Sequence, residues 1–369
     1  MTTWAESETI IPLDVAHRPA ARILVCHPGH DHSTCDVYDG ICEGLRLNGI
    51  EVVPFEWQRS LRLMNTLTLG AQAGGFVEPT KADVLQGFGT WLASADAINL
   101  ALDQEVSAVI VINGLLFPPS RAQVMQKLGI PIACYGTEAP YFLSIEQEIA
   151  AFYTHWFTNE RRCVKDFPNG HYLPHAYNPA KHRPGTKDAD KQVDAVFIGG
   201  GFPERQELLR GQGVTTRGTL WHLDMDAEVG ATDSQRNTRY SEGAIDNDET
   251  SAWHRSAKIA LNLHRKMTQV ETGGQITPGS AESLGPRAYE IPAVGGFELL
   301  DDERPEVWEV FGDSAATFKA WDRADLRRQL DYWMTHDDAR EAQQRAQAEA
   351  IQPHHWGNRA RKLLERLLT

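Results

Sequence analysis

The sequence predicts an α/β protein built from two doubly wound parallel sheets, and two observations support that prediction. First, short apolar runs alternate with segments of helical periodicity, and the connections between them are short. Second, this series stops between residues 172 and 191, where polar residues accumulate, and then starts again. We therefore place an N-terminal domain at residues 1–178 and a C-terminal domain at residues 190–350.

The first series reads as a β-α-β arrangement that continues through the N-terminal domain. Its predicted strands are residues 21–29, 49–55, 108–113 and 130–135, and its predicted helices are residues 34–47, 80–104 and 120–128. Ligands of such sheets bind beyond the carboxyl ends of the strands. The loops at residues 27–34 and 137–141, which follow two of these strands, are therefore candidate site loops.

The second series begins with an apolar strand that runs into three consecutive glycines. The predicted strands are residues 193–201, 259–264 and 297–300, and the predicted helices are residues 203–209, 323–349 and 358–368. Residues 225–256 are polar and poorly periodic, so no element is predicted there. We predict a second sheet that repeats the plan of the first.

Composition limits the class of protein. The 369 residues are 41% hydrophobic and 23% charged, as in a globular protein, and no apolar run approaches the length of a membrane span. The N-terminus lacks the basic-then-apolar order of a signal peptide, so we expect a cytoplasmic protein. The net charge of -14 disfavours a protein that coats nucleic acid, whose affinity depends on neutralising phosphates. Five cysteines without a Cys-x-x-Cys pair indicate reduced thiols.

One stretch combines acids, a turn and a cation in a suggestive order. Glu282 and Glu290 lie on either side of Gly285 and Pro286, which read as the start of a helix. Free N–H groups at such a start can bind an anion, and the guanidinium of Arg287 is suited to a diphosphate. Two acids able to bind hydroxyls, beside a phosphate cradle, predict a nucleotide-sugar site. The alternative is a short helix whose acids face solvent.

Residues 283–290, with the sequence Ser-Leu-Gly-Pro-Arg-Ala-Tyr-Glu, resemble the Glu-x7-Glu signature of retaining GT-B glycosyltransferases. The sequence of these residues is most similar to that of the CgeB-like, spore-maturation branch found in bacteria and phages, although Leu284 replaces the usual aromatic residue. The resemblance implies two Rossmann-like domains that face a cleft. It also implies that the C-terminal helix, residues 355–369, crosses back to pack on the N-terminal domain.

The resemblance further implies transfer of a sugar from a nucleoside diphosphate sugar, with UDP-sugar favoured, to a hydroxyl acceptor. The anomeric configuration would be retained, and neither a metal nor another cofactor would be needed. Glu282 would contact the sugar and Glu290 the ribose. The predicted donor-binding residues are Gly199, Gly200, Gly201, Arg205, His264, Arg265, Leu284, Gly285, Arg287 and Glu290. Two alternatives to donor binding remain open: an ordinary tight turn at the three glycines, and a solvated basic loop at residues 264–266.

A cluster of His27, His30, Asp31 and His32 follows the first strand. Such side chains bind metals or act as general bases, but their spacing fits no standard metal set. A polar loop without a chemical role is the third possibility. Because the resemblance places the acceptor on the N-terminal domain, acceptor binding is favoured. We predict catalytic roles for Glu282, His30 and Asp31, and acceptor-binding roles for His27, His32, Ser33, Glu138 and Tyr141.

The acceptor itself is not determined by the sequence. Phage relatives of this branch suggest a hydroxymethylated DNA base or a protein, and bacterial relatives suggest a glycan. Two other functions remain: a nucleotide-sugar epimerase with the same architecture, and a non-catalytic module that binds a nucleotide sugar.

Overall fold

The fold comes from a computed structural model of the chain. The structure describes residues 21–29, 34–57, 62, 66, 82–219, 221, 239–241, 245–266 and 281–368, and only the backbone of 82–89 and 239–241. Within these residues there are two separate six-stranded sheets.

The N-terminal sheet has the strand order β2-β1-β3-β4-β5-β6, and every pair of neighbours is parallel. Its strands are β1 (Arg22–Cys26), β2 (Glu51–Phe55), β3 (Ala108–Ile112), β4 (Ile132–Gly136), β5 (His155–Thr158) and β6 (Gly170–Tyr172). The central strands are apolar along their whole length because helices cover both faces of the sheet. The helices are α1 (Cys35–Leu47), α2 (Ala82–Asp103), α3 (Pro119–Lys127) and α4 (Leu143–Ala150).

The C-terminal sheet is also parallel and has the order β12-β11-β10-β7-β8-β9. Its strands are β7 (Ala195–Ile198), β8 (Thr215–Gly218), β9 (Arg239–Ser241), β10 (Ile259–Asn262), β11 (Glu298–Asp301) and β12 (Thr317–Phe318). The helices of this half are α5 (Pro203–Leu209), α6 (Asn247–Ser256), α7 (Arg287–Ala293), α8 (Glu306–Phe311), α9 (Arg323–Thr335) and α10 (Asp337–Ala350).

The last helix, α11 (Trp356–Leu367), packs on the N-terminal sheet although the chain has already built the C-terminal one. Its apolar side chains join the core beneath α1. Close approach is possible because α1 has glycines where the helices meet. A Cβ added to Gly40 would lie 2.1 Å from the Trp356 ring, and one added to Gly44 would lie 2.4 Å from the Trp356 carbonyl oxygen. Asn48 closes the contact by donating to the carbonyl of Gly357 at 2.9 Å.

The α/β class, the two parallel sheets and the returning C-terminal helix were predicted from the sequence and are present. The predicted domain limits, at residues 1–178 and 190–350, remain a prediction. One long helix predicted over residues 323–349 is two helices, because the chain turns at His336, which lies between α9 and α10. The unassigned polar segment contains α6, whose first turn is capped by the Asp246 side chain. Among the described residues, no helix is both long and apolar enough to cross a membrane.

Candidate functional site

Each sheet has a topological switch point, a place where neighbouring strands continue to opposite sides. In the C-terminal sheet it lies between β7 and β10, and in the N-terminal sheet between β1 and β3. Loops that diverge from such a point leave a crevice in which α/β proteins bind ligands. The predicted site residues that the structure describes lie around these two crevices and between them.

The glycine turn after β7 forms one wall of the C-terminal crevice. The N–H groups of Gly199 and Gly201 donate to carbonyls of β8 and of the residue that follows it, at 2.9 and 2.8 Å. A Cβ on Gly199 would lie 3.1 Å from Nη1 of Arg287, so a side chain there would press on that guanidinium. Within the described chain the N–H of Gly200 has no acceptor and stays available to a ligand.

Two arginines meet at this turn, and among the described residues no carboxylate lies within ion-pair distance of either guanidinium. Arg205 is 9% exposed and donates from Nη1 to the carbonyl of Gly200 (3.2 Å) and from Nη2 to that of Leu263 (2.7 Å), so it bridges the two sides of the crevice. Its buried Nε finds no hydrogen-bond partner in the part of the chain that the structure describes. Arg287 donates to the carbonyl of Ile198. Burial and the charge of Arg287 lower the pKa of Arg205 to about 10. Among the described residues neither guanidinium forms an ion pair.

Glu282 lies in the loop that precedes α7, and Glu290 lies in the first turns of α7. The helix starts at Arg287, one residue later than predicted, with Pro286 as its N-cap. Burial raises the pKa of Glu290, while the charge of Arg287 opposes that rise. A carboxylate in this setting gains from accepting a hydrogen bond from a ligand hydroxyl.

A second acid, Asp36 in the first turn of α1, approaches Glu290 from the N-terminal domain. Burial and the charge of Glu290 raise the pKa of Asp36, and Asn247 at the start of α6 donates to its carboxylate. Lys181 in the interdomain linker pairs with Asp39, one turn further along α1, at 2.5 Å. The sequence reasoning missed Asp36, although its place in the first turn of the helix after β1 was a usable signal.

The backbone N–H groups of the loop Glu282–Leu284 already donate to carboxylates of the protein. Glu160 accepts from the N–H groups of Glu282 and Ser283, and Glu306 accepts from that of Leu284. The Leu284 side chain is fully buried in an apolar cluster with Ala288 and Tyr289. In this conformation neither the side chain nor the N–H of Leu284 is open to a nucleotide sugar. The donor-binding role of Leu284 therefore remains a prediction.

His264 follows β10 and is held by Asp301 at the end of β11. Asp301 accepts from the His264 backbone N–H and pairs with Nδ1, both at 2.7 Å. The pKa of Asp301 lies below its usual range. Burial alone would raise this pKa, but the charge and the hydrogen bonds of His264 together lower it by more. Nε2 of His264 is buried and has no hydrogen-bond partner among the described residues. With Nδ1 fixed by Asp301, Nε2 is the nitrogen left for a ligand.

Arg265 lies where the two domains meet. Its guanidinium is 4.7 Å from the ring of Tyr141, in the N-terminal domain, and 5.2 Å from that of Phe202, in the C-terminal domain. The Tyr141 hydroxyl donates to the Arg265 carbonyl at 3.1 Å and accepts from Arg304 at 2.9 Å. Tyr141, predicted to bind acceptor, and Arg265, predicted to bind donor, are thus in direct contact.

The N-terminal crevice is lined by acids and acceptors. His27 is buried after β1, and its Nδ1 accepts from the N–H of Gly29 at 3.1 Å. Glu138 accepts from Asn113 at 2.8 Å, and burial raises its pKa. Behind it, fully buried Glu146 accepts from the N–H of Glu138 at 2.9 Å, and burial raises its pKa to about 8.

Sequence reasoning missed Asn113 and Glu146. Asn113 has a positive φ of 68° directly after β3. Glu146 occupies the face of α4 shared by Leu143 and Ala150, a helical spacing that would have marked a buried acid.

His30, Asp31, His32 and Ser33 lie outside the described residues, so their catalytic and acceptor-binding roles remain predictions. In the part of the chain that the structure describes, no group of three or more His, Cys, Asp or Glu side chains is arranged to hold a metal ion.

Comparison with known proteins agrees with this architecture. Residues 206–365, slightly less than half of the chain, match a family model described as "Glycosyl transferase-like". No curated protein sequence matches the chain.

Solved structures match over nearly the whole chain at low identity. One, described as trehalose-6-phosphate from E. coli bound with UDP-2-fluoro glucose, has a TM-score of 0.59 at 13% identity and covers 95% of this chain and 99% of its own. An α,α-trehalose-phosphate synthase (UDP-forming) from Burkholderia xenovorans, in complex with glucose-6-phosphate, has a TM-score of 0.58 at 10% identity and covers 94% and 100%.

A sucrose-phosphate synthase from Thermosynechococcus elongatus has a TM-score of 0.57 at 10% identity and covers 94% of this chain and 98% of its own. Likeness at such identities establishes the fold alone. The chain has the GT-B fold of these glycosyltransferases, and its residues 206–365 have the sequence pattern of the glycosyl transferase-like family.

Proposed function

We propose that the protein is a glycosyltransferase that moves a sugar from a nucleoside diphosphate sugar, with UDP-sugar favoured, to a hydroxyl acceptor, with retention and without a metal. The observation that supports this best is the pair Arg205 and Arg287 at the switch point of the C-terminal sheet. The two guanidiniums lie close together and form no ion pair among the described residues, so an anion bound beside them would offset their mutual repulsion. A diphosphate provides that anion.

The chemistry assigned to these residues is charge stabilisation. When the bond between the anomeric carbon and the phosphate oxygen breaks, the leaving diphosphate gains negative charge. Fixed donors aimed at that charge lower the barrier because they need no reorganisation. Arg287, the open N–H of Gly200 and Nε2 of His264 are such donors.

The two acids of the motif bind hydroxyls in this proposal. Glu290 accepts from the ribose and Glu282 from the transferred sugar, and the leaving phosphate accepts the proton of the acceptor hydroxyl. Glu138 and Tyr141, at the end of β4, face the acceptor. His30 and Asp31 retain the catalytic roles proposed from the sequence.

The acceptor is proposed at the level of a hydroxyl-bearing molecule. The CgeB-like resemblance leads us to include a hydroxymethylated DNA base, a protein and a glycan. The structural neighbours include one bound to glucose-6-phosphate, so a sugar phosphate belongs in the same test.

The test is a mass-spectrometric screen of purified protein against a panel of nucleotide sugars, with EDTA present, alone and with each acceptor class. We expect nucleotide release from one donor, and a sugar-sized mass gain on the true acceptor. The anomeric configuration of that product, read by NMR, tests retention.

The other outcomes separate the rival functions. Conversion of the donor to its epimer without an acceptor would indicate an epimerase. Nucleotide-sugar binding with no turnover, even after metal is restored, would indicate a binding module. Absence of binding to every donor would contradict the proposal.

A further inference from the structure

The loop Glu282–Leu284, which contains the first acid of the motif, is held by three consecutive backbone hydrogen bonds. The N–H of Glu282 lies 3.0 Å from Oε1 and 3.2 Å from Oε2 of Glu160. That of Ser283 lies 3.2 Å from Oε2 of Glu160, and that of Leu284 lies 2.6 Å from Oε2 of Glu306. Two carboxylates therefore fix the path of this loop.

Glu160 reaches this loop from the other domain. It stands two residues after β5, beyond the carboxyl end of that strand, and is 1% exposed. The same carboxylate caps the short 3-10 helix Arg161–Asp166 by accepting from the Arg162 N–H at 3.1 Å. Next to it, the Arg161 N–H donates to Oγ of Ser283 at 3.0 Å. The N-terminal domain thus supplies the acceptor that orders the start of the donor motif.

The environments of the two carboxylates differ. Glu306 also accepts from Tyr172 and pairs with Arg161 at 3.3 Å. Glu160 forms no ion pair among the described residues, and its charge is balanced only by backbone N–H groups. Backbone N–H groups that donate to one buried carboxylate form charge-assisted hydrogen bonds, and a side chain without acceptor oxygens would leave these N–H groups without a partner. The position of the Glu160 carboxylate and the path of the loop are therefore tied together.

We propose that Glu160 is a positioning residue that acts through Glu282. By fixing the backbone at Glu282 and Ser283, it sets the direction in which the Glu282 side chain leaves the loop. This inference rests on the proposed function, because the role of Glu282 at the donor sugar belongs to that proposal. In the described part of the chain, Arg205, Arg287 and Glu290, which bind the nucleotide in that proposal, form no hydrogen bond or ion pair with Glu160.

The test is a double-mutant cycle of Glu160→Gln with Glu282→Gln, measured by nucleotide release from the donor. Gln keeps the shape of Glu160 but replaces one acceptor oxygen with an amide donor that faces a backbone N–H. We expect Glu160→Gln to lower kcat about tenfold with the Kd for UDP within about twofold, and to have no further effect once Glu282 is Gln. The matched control is Glu309→Gln, because Glu309 pairs with Arg161 at the same interface but is exposed.

A readout without turnover keeps this inference separate from the proposed function. Hydrogen exchange at the amides of residues 282–284 should be faster in Glu160→Gln and unchanged in Glu309→Gln. If Glu160→Gln does not fold, Glu160→Asp, which keeps the charge but reaches less far, takes its place in the same cycle.

Equal hydrogen exchange at residues 282–284 in wild type and Glu160→Gln would show that Glu160 does not hold this loop. Additive effects of Glu160→Gln and Glu282→Gln would overturn its action through Glu282. A wild-type protein that releases no nucleotide from any donor would instead contradict the proposed function, and hydrogen exchange would still decide whether Glu160 holds the loop.

Discussion

The two switch points share a topology and differ in charge. At the N-terminal crevice, between β1 and β3, the side chains described are His27, Asn113 and the acids Glu138 and Glu146. At the C-terminal crevice, between β7 and β10, the main side chains are Arg205 and Arg287. Because the strands are arranged alike, the difference comes from the few residues after each strand. The fold provides two equivalent crevices, and among the residues that the structure describes only the C-terminal crevice gathers cations suited to an anion.

The largest expected effect is at the cationic crevice. Arg287→Met keeps the length of the side chain and removes its charge and donors. We expect kcat/KM for the nucleotide sugar to fall about 100-fold or more, because one preorganised donor to the leaving group is lost. Steady-state nucleotide release measures this. Arg345→Met, at an exposed arginine that pairs with Glu341, is the matched control. A similar rate in both variants would remove Arg287 from the donor site.

Glu290 lies beside the cations, and its loss should affect nucleotide binding more than chemistry. We expect Glu290→Gln to weaken UDP binding about tenfold, which corresponds to one hydrogen bond to a charged acceptor. Isothermal titration with UDP measures the affinity. Glu349→Gln is a suitable control at an exposed site on α10. Unchanged affinity and turnover in Glu290→Gln would exclude the ribose role.

At the acidic crevice the expected effect is on stability. Burial raises the folded-state pKa of Glu146 to about 8, against an ordinary value near 4.5. The folded protein therefore binds a proton that the unfolded chain releases, and stability falls as the pH rises through this range. Glu146→Gln removes that loss, so we expect it to raise the unfolding free energy by roughly 1–3 kcal/mol near pH 8 and very little near pH 4.

Urea unfolding at the two pH values measures the Glu146 effect, and Glu148→Gln on the same helix is the control. UDP affinity should not change in Glu146→Gln, since the residue belongs to the other crevice. A gain of the same size at both pH values would show that packing, and not charge, causes it.

Much of this comparison was predictable from the sequence. Strand and helix periodicity predicted both sheets, and the spacing of Glu282, Gly285, Arg287 and Glu290 predicted which half holds the cationic crevice. These patterns are local in the chain, so one sequence displays them. The short strands β5, β6, β8, β9 and β12 were missed because runs of two to four residues have too little periodicity.

The contacts that were not predictable join residues far apart in the chain. Glu160 meets Glu282 across 122 positions, and Asn247 meets Asp36 across 211. No periodicity encodes such pairs, because they depend on how the two domains are placed against each other. The N–H of Glu282 donates to Glu160 of the other domain, and for this reason that contact was not predicted.

The smallest effect is expected where the two crevices approach each other, at Asp36 and Glu290. Burial and the like charge of Glu290 raise the folded-state pKa of Asp36, so the folded protein holds a proton that the unfolded chain loses as the pH rises above about 4. Asp36→Asn removes this loss and keeps an oxygen that can accept from Asn247. We expect a gain of about 1 kcal/mol in unfolding free energy near pH 8 and none near pH 4. Asp39→Asn, which breaks the exposed pair with Lys181, is the control, and we expect no gain from it at either pH. A loss of stability in Asp36→Asn near pH 8 would mean that the cationic neighbours of Asp36 stabilise its charge more strongly than Glu290 opposes it, and the two domains would then meet here through charge attraction.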